Sequence, residues 1–241
     1  MEKSLHTVTQ RASGAQLSRA WLKTGGSDVY AQGLLLQTLG PYAPEVTLLP
    51  SQMGYVTIDA GRPIADIVPV SPGVFGDFCR ALWALPRRAD AVSGAKYAEY
   101  VRARLEATGP DIRLYRLFEI FGGCLNEENE AGQFVHGDFS LCNILEGFDG
   151  KLRTIDVSPR PTPTEPRCDV AKLLLSIFVT DTPNKPQPSL LWYISDLFTY
   201  DGRQLRIVDP VMAAHFVAHA IRVAAREPAR IDAETIAKVV L

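Results

Sequence analysis

The chain lacks a long apolar run, and its charge is nearly balanced. A membrane-spanning helix needs about 20 consecutive apolar residues, whereas Leu34 to Leu36 and Leu173 to Leu175 are short runs. The formal net charge over 241 residues is −2, which gives no electrostatic reason for a nucleic-acid partner. We therefore expect a soluble, cytoplasmic protein that binds neither nucleic acid nor membrane.

Cysteine is scarce and scattered. The four cysteines are Cys79, Cys124, Cys142 and Cys168, and no two of them have the short spacing of a zinc site. No signal peptide is recognisable that would indicate an oxidising compartment. Buried or half-buried thiols are expected, rather than disulfides or a metal cluster.

The most informative segment that is present lies between residues 136 and 156. It reads His136-Gly137-Asp138-Phe139-Ser140-Leu141-Cys142-Asn143-Ile144-Leu145, and Thr154-Ile155-Asp156 follows. Asp138 can orient a substrate hydroxyl, while Asn143 and Asp156 offer oxygen atoms to a metal ion that bridges nucleotide phosphates. Phosphoryl transfer needs such a grouping because positioning and charge neutralisation carry its catalysis. The segment therefore indicates a phosphotransferase.

The residues around this segment predict a β-hairpin. Ile144 to Glu146 form one strand, a turn follows at 148–151, and Leu152 to Asp156 return. One carboxylate then lies at each mouth of the hairpin. An Asp and an Asn at this spacing also occur by chance beside buried strands, but the ordered His, Gly and Ile-Asp favour the catalytic interpretation.

At these residues the chain resembles the aminoglycoside phosphotransferase and choline kinase branch of the protein-kinase-like fold. Its members carry His-Gly-Asp, four variable residues, Asn, then Ile-Asp and a later Asp. The segment from Arg167 to Leu174 looks like that later part, with Asp169 opening a helix beneath the catalytic loop. Asp169 is also suited to be a helix N-cap, and both roles can hold together. The resemblance implies that His136 and Asp169 support the loop structurally, and that Asp138 is catalytic.

The resemblance also implies an α+β, two-lobed protein-kinase-like fold. Residues 1–61 would form a small antiparallel sheet lobe on the nucleotide side, including the hinge. Residues 62–241 would form a mostly helical lobe with the catalytic loop and the acceptor site. Periodicity agrees, since strand-like segments and a helix at 28–39 precede residue 61 and helical patterns follow it.

Two of the helical patterns are specific enough to test. One predicts a helix that ends before Pro86 and buries Val74, Phe78, Leu82 and Leu85 on a single face. The other predicts a helix at 190–198. The proline-rich segment 158–166 follows Asp156, where the resemblance places an activation segment. Its prolines would keep the backbone extended past the entrance of the substrate site.

Lys23 ends an Ala-Trp-Leu-Lys strand. The resemblance implies that it pairs with the α- and β-phosphates of the nucleotide, and the alternative is a solvated lysine at a strand end. Backbone groups from Ile58 to Ala60 would meet the adenine edge as the hinge. The helix after Lys23 holds Gln32 and Gln37 where the family's glutamate partner of the lysine is expected, so a different acid is used or the pair is absent.

The segment that would cover the phosphates is poor in glycine, because Gly14 is the only glycine between Thr7 and Lys23. Fewer glycines keep backbone amides farther from phosphates. Weak nucleotide binding, or a nucleotide other than ATP, therefore stays open. The favoured interpretation is a small-molecule kinase that uses Mg²⁺ and transfers the γ-phosphoryl group of ATP or GTP to a hydroxyl of an antibiotic, sugar or amino alcohol. A pseudokinase-like nucleotide-binding module is the alternative.

Three further features have both a simple and a functional interpretation. His215 and His219 have the spacing of metal ligands on a helix, but no third ligand is nearby, which favours packing. The acidic patch at 127–130 fits a solvated turn better than an attractor of a polycationic acceptor. Trp192, Tyr193 and Tyr200 fit an apolar helix face, or less simply the lining of an acceptor site.

Overall fold

The computed structural model describes residues 6–9, 19–58, 61–66, 70–109, 111–127, 132–147, 149–178, 196–200 and 204–241. The helices are α1 Ser27–Thr38, α2 Pro72–Trp83, α3 Gly94–Thr108, α4 Ile112–Phe121, α5 Arg167–Phe178, α6 Pro210–Ala224 and α7 Ala233–Val240. The strands are β1 His6–Thr9, β2 Arg19–Thr24, β3 Val46–Leu49, β4 Gly54–Ile58, β5 Arg62–Pro63, β6 Ile144–Glu146, β7 Leu152–Thr154, β8 Phe198–Tyr200 and β9 Leu205–Ile207.

The N-terminal part is an antiparallel sheet of four strands in the order β1-β2-β4-β3. Lys23 on β2 lies opposite Tyr55 on β4 in the strand register. Helix α1 packs closely on this sheet at Gly33, where a Cβ would lie 2.8 Å from Leu48 Cδ2 and 2.9 Å from Tyr55 Cδ1. The missing side chain at Gly33 thus lets the neighbouring Gln32 approach the sheet.

A second sheet joins the segment after the first sheet to the predicted catalytic hairpin. Strand β5 pairs with β6, and β6 pairs with β7, all antiparallel. Gly61 precedes β5 with φ of 108°, and a Cβ there would collide with the Glu146 carbonyl oxygen. Only glycine combines this backbone conformation with so close an approach, which fixes the hairpin directly beside the end of the first sheet.

The remaining described residues are mostly helical and surround α6. Asp209 caps α6 by accepting a hydrogen bond from Met212 N at 2.7 Å, and Pro210 occupies the first helical position. From Val211 to Ile221 every residue of α6 is buried. Helices α3, α4 and α5 pack against it, so α6 forms the centre of the helical core.

Two sequence-based expectations are wrong in detail. Val74 is 48% exposed, while the buried face of α2 is formed by Phe75, Phe78, Cys79 and Leu82. Of the helix expected at 190–198, residues 190–195 lie outside the described residues, and Phe198 begins strand β8 instead. The strand forms because Phe198 pairs with Ile207 on β9 in a short hairpin that buries both side chains.

The α+β, two-lobed architecture is confirmed, with a small sheet lobe and a mostly helical lobe. The exact division at residue 61 stays a prediction. Within the described ranges, none of the helices has both the length and the apolar character needed to cross a membrane.

Candidate active site

His136 lies buried at the start of the predicted catalytic loop, residues 136–143, and links this loop to the segment before Asp156. The Asp138 backbone N–H donates to His136 Nδ1 at 3.2 Å, and His136 Nε2 lies 2.9 Å from the Ile155 carbonyl oxygen. With Nδ1 accepting, the ring proton belongs on Nε2, which donates to Ile155. Burial lowers the pKa of His136 to about 4. The imidazole is therefore neutral at neutral pH and ties the loop to the residue before Asp156.

Asp169 anchors the same loop from below. Its Oδ2 accepts from His136 N at 2.8 Å and from Trp83 Nε1 at 3.1 Å, and its Oδ1 accepts from Gly137 N at 2.8 Å. Burial raises the pKa of Asp169 to about 6, although these three hydrogen bonds favour the charged form. Asp169 is the third residue of α5, so the N-cap interpretation is wrong. Its position inside the first turn is what allows both oxygens to face the loop.

The loop is also pressed against the proline-rich segment that follows Asp156. Ser158 N donates to the His136 carbonyl oxygen at 2.9 Å. Gly137 has φ of 77°, and a Cβ there would collide with the side chain of Thr162. A glycine is therefore required at 137, and the segment at 158–162 lies directly beside Asp138.

Asp138 is the half-exposed carboxylate of this loop. Lys172 Nζ on α5 lies 3.2 Å from Asp138 Oδ1, and the Asp138 side chain is 41% exposed. Partial burial would raise the pKa of Asp138, but the charges of Lys172 and Arg222 outweigh it, and the pKa lies below its ordinary value. Asp138 is thus ionised at neutral pH.

Lys172 is a site residue that the sequence analysis did not single out. It lies three positions after Asp169 on α5, and residues three apart share a helix face. Since Asp169 was expected beneath the loop, that spacing was the available signal that Lys172 would face the loop as well.

Asn143 connects Asp138 to the next strand. Its Nδ2 donates to the Asp138 carbonyl oxygen at 2.8 Å. The backbone carbonyl oxygen of Asn143 accepts hydrogen bonds from Ile155 N at 2.9 Å and from Thr154 Oγ1 at 3.0 Å. With the amide nitrogen used in this way, the amide oxygen of Asn143 is the atom left to meet a cation.

Asp156 follows β7 with φ of 58°, a left-handed conformation that is uncommon outside glycine. Lys23 Nζ lies 2.6 Å from Asp156 Oδ1, and the Tyr55 hydroxyl lies 3.5 Å from the same oxygen. The Asp156 carboxylate is therefore brought to the end of strand β2, between the sheet lobe and the catalytic loop.

Gln32 on α1 completes the surroundings of Lys23. Lys23 Nζ donates to Gln32 Oε1 at 2.7 Å, and Gln32 Nε2 donates to the Val157 carbonyl oxygen at 2.7 Å. The Tyr55 hydroxyl lies 3.3 Å from Gln32 Oε1, and burial together with the nearby Asp156 raises the pKa of Tyr55. A neutral amide thus occupies the place of the expected glutamate, and Asp156 is the carboxylate that pairs with Lys23.

Some of the expected site residues are placed only partly. Ile58 is the last residue of β4 and lies opposite Ala20 in the register, whereas Ala60 lies outside the described residues. Gly14, Glu128, Glu130, Trp192 and Tyr193 lie outside them too. The hinge and the acidic patch therefore stay predictions.

The histidine pair on α6 is explained by packing. His219 Nε2 lies 2.9 Å from the Cys168 carbonyl oxygen, and the His215 ring packs against Tyr97 with centroids 5.8 Å apart. No group of three or more His, Cys, Asp or Glu side chains suited to a metal occurs in the part of the chain that the structure describes. Cys142 is exposed, contrary to the expectation of buried or half-buried thiols, because in the short turn Leu141–Asn143 it is Leu141 that faces the core.

Comparison by sequence finds no matching family model and no matching curated protein. Comparison by structure finds many similar solved proteins. An aminoglycoside-3'-phosphotransferase of type VIII has a TM-score of 0.58 at 18% identity, over 90% of this chain and 93% of that one. Choline kinase LicA from Streptococcus pneumoniae has a TM-score of 0.57 at 14% identity, over 89% and 80%. An AMP-bound spectinomycin phosphotransferase has a TM-score of 0.53 at 12% identity, over 88% and 78%.

These identities establish the fold alone. The similarity extends over most of this chain and most of each solved chain, and it agrees with the family resemblance of the segment 136–174. The chain has the protein-kinase-like fold that aminoglycoside phosphotransferases and choline kinases share.

Proposed function

We propose that this protein is a small-molecule kinase that transfers the γ-phosphoryl group of ATP or GTP to a hydroxyl of an antibiotic, a sugar or an amino alcohol. The observation that carries the proposal is the 2.6 Å contact between Lys23 Nζ and Asp156 Oδ1, which are 133 positions apart in the chain. It joins a cation suited to phosphates with a carboxylate suited to a metal. Asp156 is linked to the loop through the preceding residue, because Ile155 N donates to the Asn143 carbonyl oxygen at 2.9 Å. The similar solved proteins are named as phosphotransferases or kinases of small molecules, and one of them is bound to AMP.

The nucleotide would lie against the sheet lobe, residues 1–61. Lys23 serves as a point charge for the α- and β-phosphates. Gln32 and Asp156 hold its ammonium group from two sides, so the lysine is oriented before the nucleotide arrives. Backbone groups from Ile58 to Ala60 supply the hinge contacts to the base.

The residues beside the catalytic loop fit Mg²⁺. Asn143 offers an amide oxygen and Asp156 a carboxylate, which are the hard oxygen donors that Mg²⁺ prefers, and Mg²⁺ takes few protein ligands beside water and phosphate oxygens. The hydrogen bonds from Lys23 and Tyr55 both go to Asp156 Oδ1, which leaves Oδ2 for a cation. When bound, the metal supplies neutralisation of the phosphate charge.

Asp138 would orient the acceptor hydroxyl and accept its proton. A bond forms between the hydroxyl oxygen and the γ-phosphorus while the bond to the β-phosphate oxygen breaks, and nucleoside diphosphate leaves. Lys172 keeps Asp138 ionised for this role. His136 cannot take the proton in its place, because its Nδ1 already accepts the Asp138 N–H and its Nε2 faces Ile155. We assign His136 and Asp169 to support of the loop.

A pseudokinase-like nucleotide-binding module is the second candidate. The neutral Gln32 in the place of a glutamate favours it, and so does the single glycine before Lys23. Calorimetry with ATP and GTP, with and without Mg²⁺, followed by mass spectrometry of acceptor pools, separates the two. If the protein is a kinase, nucleotide binding should depend on Mg²⁺, and the product should be about 80 Da heavier than its acceptor because it has gained one phosphoryl group. Nucleotide binding with no product in any pool would favour the pseudokinase.

A further inference from the structure

Four arginines come together around Arg226, and we call them the arginine cluster. Arg104 lies on α3, Arg160 in the segment after Asp156, Arg222 on α6, and Arg226 just beyond the end of α6. Arg222 Nη1 lies 3.4 Å from the carbonyl oxygen of Gly137, the residue before Asp138. Burial and the charges of the other three arginines lower the pKa of Arg226, as expected where positive charges are crowded.

Positive charge dominates this side of the loop. Lys172 lies 3.2 Å from Asp138, and the charges of both Arg222 and Arg226 act on Asp138. One carboxylate therefore faces a lysine and several arginines. An acceptor with ammonium groups would approach this region against repulsion, whereas an anionic acceptor would be attracted.

Within the described ranges, the cluster has no carboxylate partner of its own. Elsewhere arginines pair closely, as Arg153 does with Asp149 at 2.8 Å and Arg167 with Glu165 at 3.1 Å. Among the described residues, by contrast, no carboxylate forms an ion pair with any member of the cluster.

Two guanidinium nitrogens of the cluster are in addition buried without a hydrogen-bond acceptor in the described part of the chain. They are Arg104 Nε and Arg160 Nη1. Leaving a buried charged donor without an acceptor is costly, and the fork of an arginine matches the oxygens of a phosphate or a carboxylate. The unused donors thus point to an anionic ligand at this place.

We infer that the acceptor carries an anionic group, a phosphate or a carboxylate, which the arginine cluster binds while a hydroxyl of the same molecule faces Asp138. The inference rests on the proposed kinase function and narrows its acceptor. It favours sugar phosphates and hydroxy acids over the cationic aminoglycosides and amino alcohols.

The test sorts acceptors by charge. Full-length protein with Mg²⁺ and γ-labelled ATP is given four separate pools, which contain sugar phosphates, hydroxy acids, neutral sugars, and aminoglycosides with amino alcohols. Label is expected in one of the two anionic pools. The labelled pool then shows whether the anionic group of the acceptor is a phosphate or a carboxylate. Label only in the neutral or the cationic pool would overturn the inference.

The matched variants are Arg104→Gln and Arg160→Gln, with Arg102→Gln as the control. Arg102 lies on the same helix as Arg104, but it is 45% exposed and pairs with Glu119. Each cluster variant should raise the KM of the anionic acceptor roughly 10- to 100-fold, as the loss of a charged hydrogen bond predicts. Nucleotide affinity and the control should not change. Arg160→Lys keeps the charge but not the fork, so it should lie between Arg160→Gln and the wild type.

Failure of the inference and failure of the kinase function have different signatures. If no pool is labelled, calorimetry with inorganic phosphate and with D-glycerate as probes still decides the inference. Binding that is lost in Arg104→Gln and Arg160→Gln but retained in Arg102→Gln supports an anion site, whereas no binding of either probe overturns it. Equal losses of Mg²⁺-ATP affinity in the cluster variants would also overturn it, because the arginines would then hold the nucleotide.

Discussion

Gln32 on α1 donates a hydrogen bond to the Val157 carbonyl oxygen at 2.7 Å and accepts one from Lys23 at 2.7 Å. A single neutral side chain thereby connects the helix of the sheet lobe to both the lysine and the segment after Asp156. A glutamate could accept from Lys23 but could not donate to the Val157 carbonyl. The amide is therefore suited to this geometry in a way that a carboxylate is not.

Replacing Gln32 with alanine should lower the affinity for a nucleoside triphosphate several-fold and lower the free energy of unfolding by about 1–3 kcal/mol, the usual cost of leaving a buried polar group without its partner. Gln37→Ala is the matched control, because Gln37 on the same helix donates to the Val46 carbonyl oxygen at 3.0 Å, away from Lys23. Calorimetric titration and denaturant unfolding measure both quantities. Equal effects of the two substitutions would show that Gln32 does not position Lys23.

Lys23→Ala should weaken triphosphate binding while nucleoside binding changes little, because a lysine contributes a point charge to the phosphates and not to the base. Titrating the same variant with ATP and with adenosine provides the internal comparison. Unchanged triphosphate affinity together with unchanged turnover would mean that a different cation holds the phosphates.

Asp156→Ala should abolish the Mg²⁺-dependent part of nucleotide binding, because it removes a carboxylate that Mg²⁺ needs. Asp149→Ala is the control on the same hairpin, since Asp149 is partly exposed and pairs with Arg153. Calorimetry with and without Mg²⁺ measures the effect. The metal assignment is wrong if wild-type affinity is the same under both conditions, or if the Asp156 variant keeps its Mg²⁺ dependence.

His136 should make the free energy of unfolding rise with pH between about 4 and 6.5. The pKa of its buried imidazole is lowered from 6.5 to about 4, so the unfolded chain binds more protons in this window and stability increases as pH rises. The full effect is on the order of 3 kcal/mol. Asp169 acts in the opposite direction, since burial raises its pKa from 3.8 to about 6.

Comparison of wild type with His136→Gln separates the two contributions. The Asp169 contribution is common to both proteins, so the pH slope of their stability difference belongs to His136. Denaturant unfolding at half-unit steps of pH should show that the free energy of unfolding of wild type, relative to that of the variant, increases from pH 4 to 6.5. A difference that does not vary with pH would mean that His136 takes up a proton as readily in the folded chain as in the unfolded one.

Local sequence patterns were enough to predict the strand-like character of the sheet lobe, helix α1 and the hairpin of β6 and β7. The catalytic loop could be predicted equally well, because its residues are close in sequence and their spacing sets their geometry. The buried face of α2 was mistaken because Val74 and Phe75 are adjacent apolar residues, and only the packing decides which of them faces the core. The strand at Phe198 was missed because its pairing with β9 is a tertiary contact.

The residues that sequence reasoning missed are those whose partners are distant in the chain. Tyr55 reaches Asp156 across 101 positions, and Lys172 reaches Asp138 from another helix. The arginine cluster collects side chains from α3, α6 and the segment after Asp156, so no local spacing predicts it. Two of these residues had an indirect signal: Tyr55 lies on the strand that pairs with Lys23, and Lys172 lies three positions after Asp169 on α5.

The central claim is that Asp138 acts on the acceptor hydroxyl in a Mg²⁺-dependent phosphoryl transfer, and Asp138→Asn tests it most directly. The measurement is the rate of transfer from γ-labelled ATP to the acceptor that the pools identify, with the Mg²⁺-nucleotide melting shift recorded on the same samples. The variant keeps the size of the side chain but loses the carboxylate, so transfer should fall by ~10²–10⁴-fold while the melting shift stays close to that of wild type. Retained transfer in Asp138→Asn would contradict the account, and so would a folded wild type that binds Mg²⁺-nucleotide but labels no acceptor.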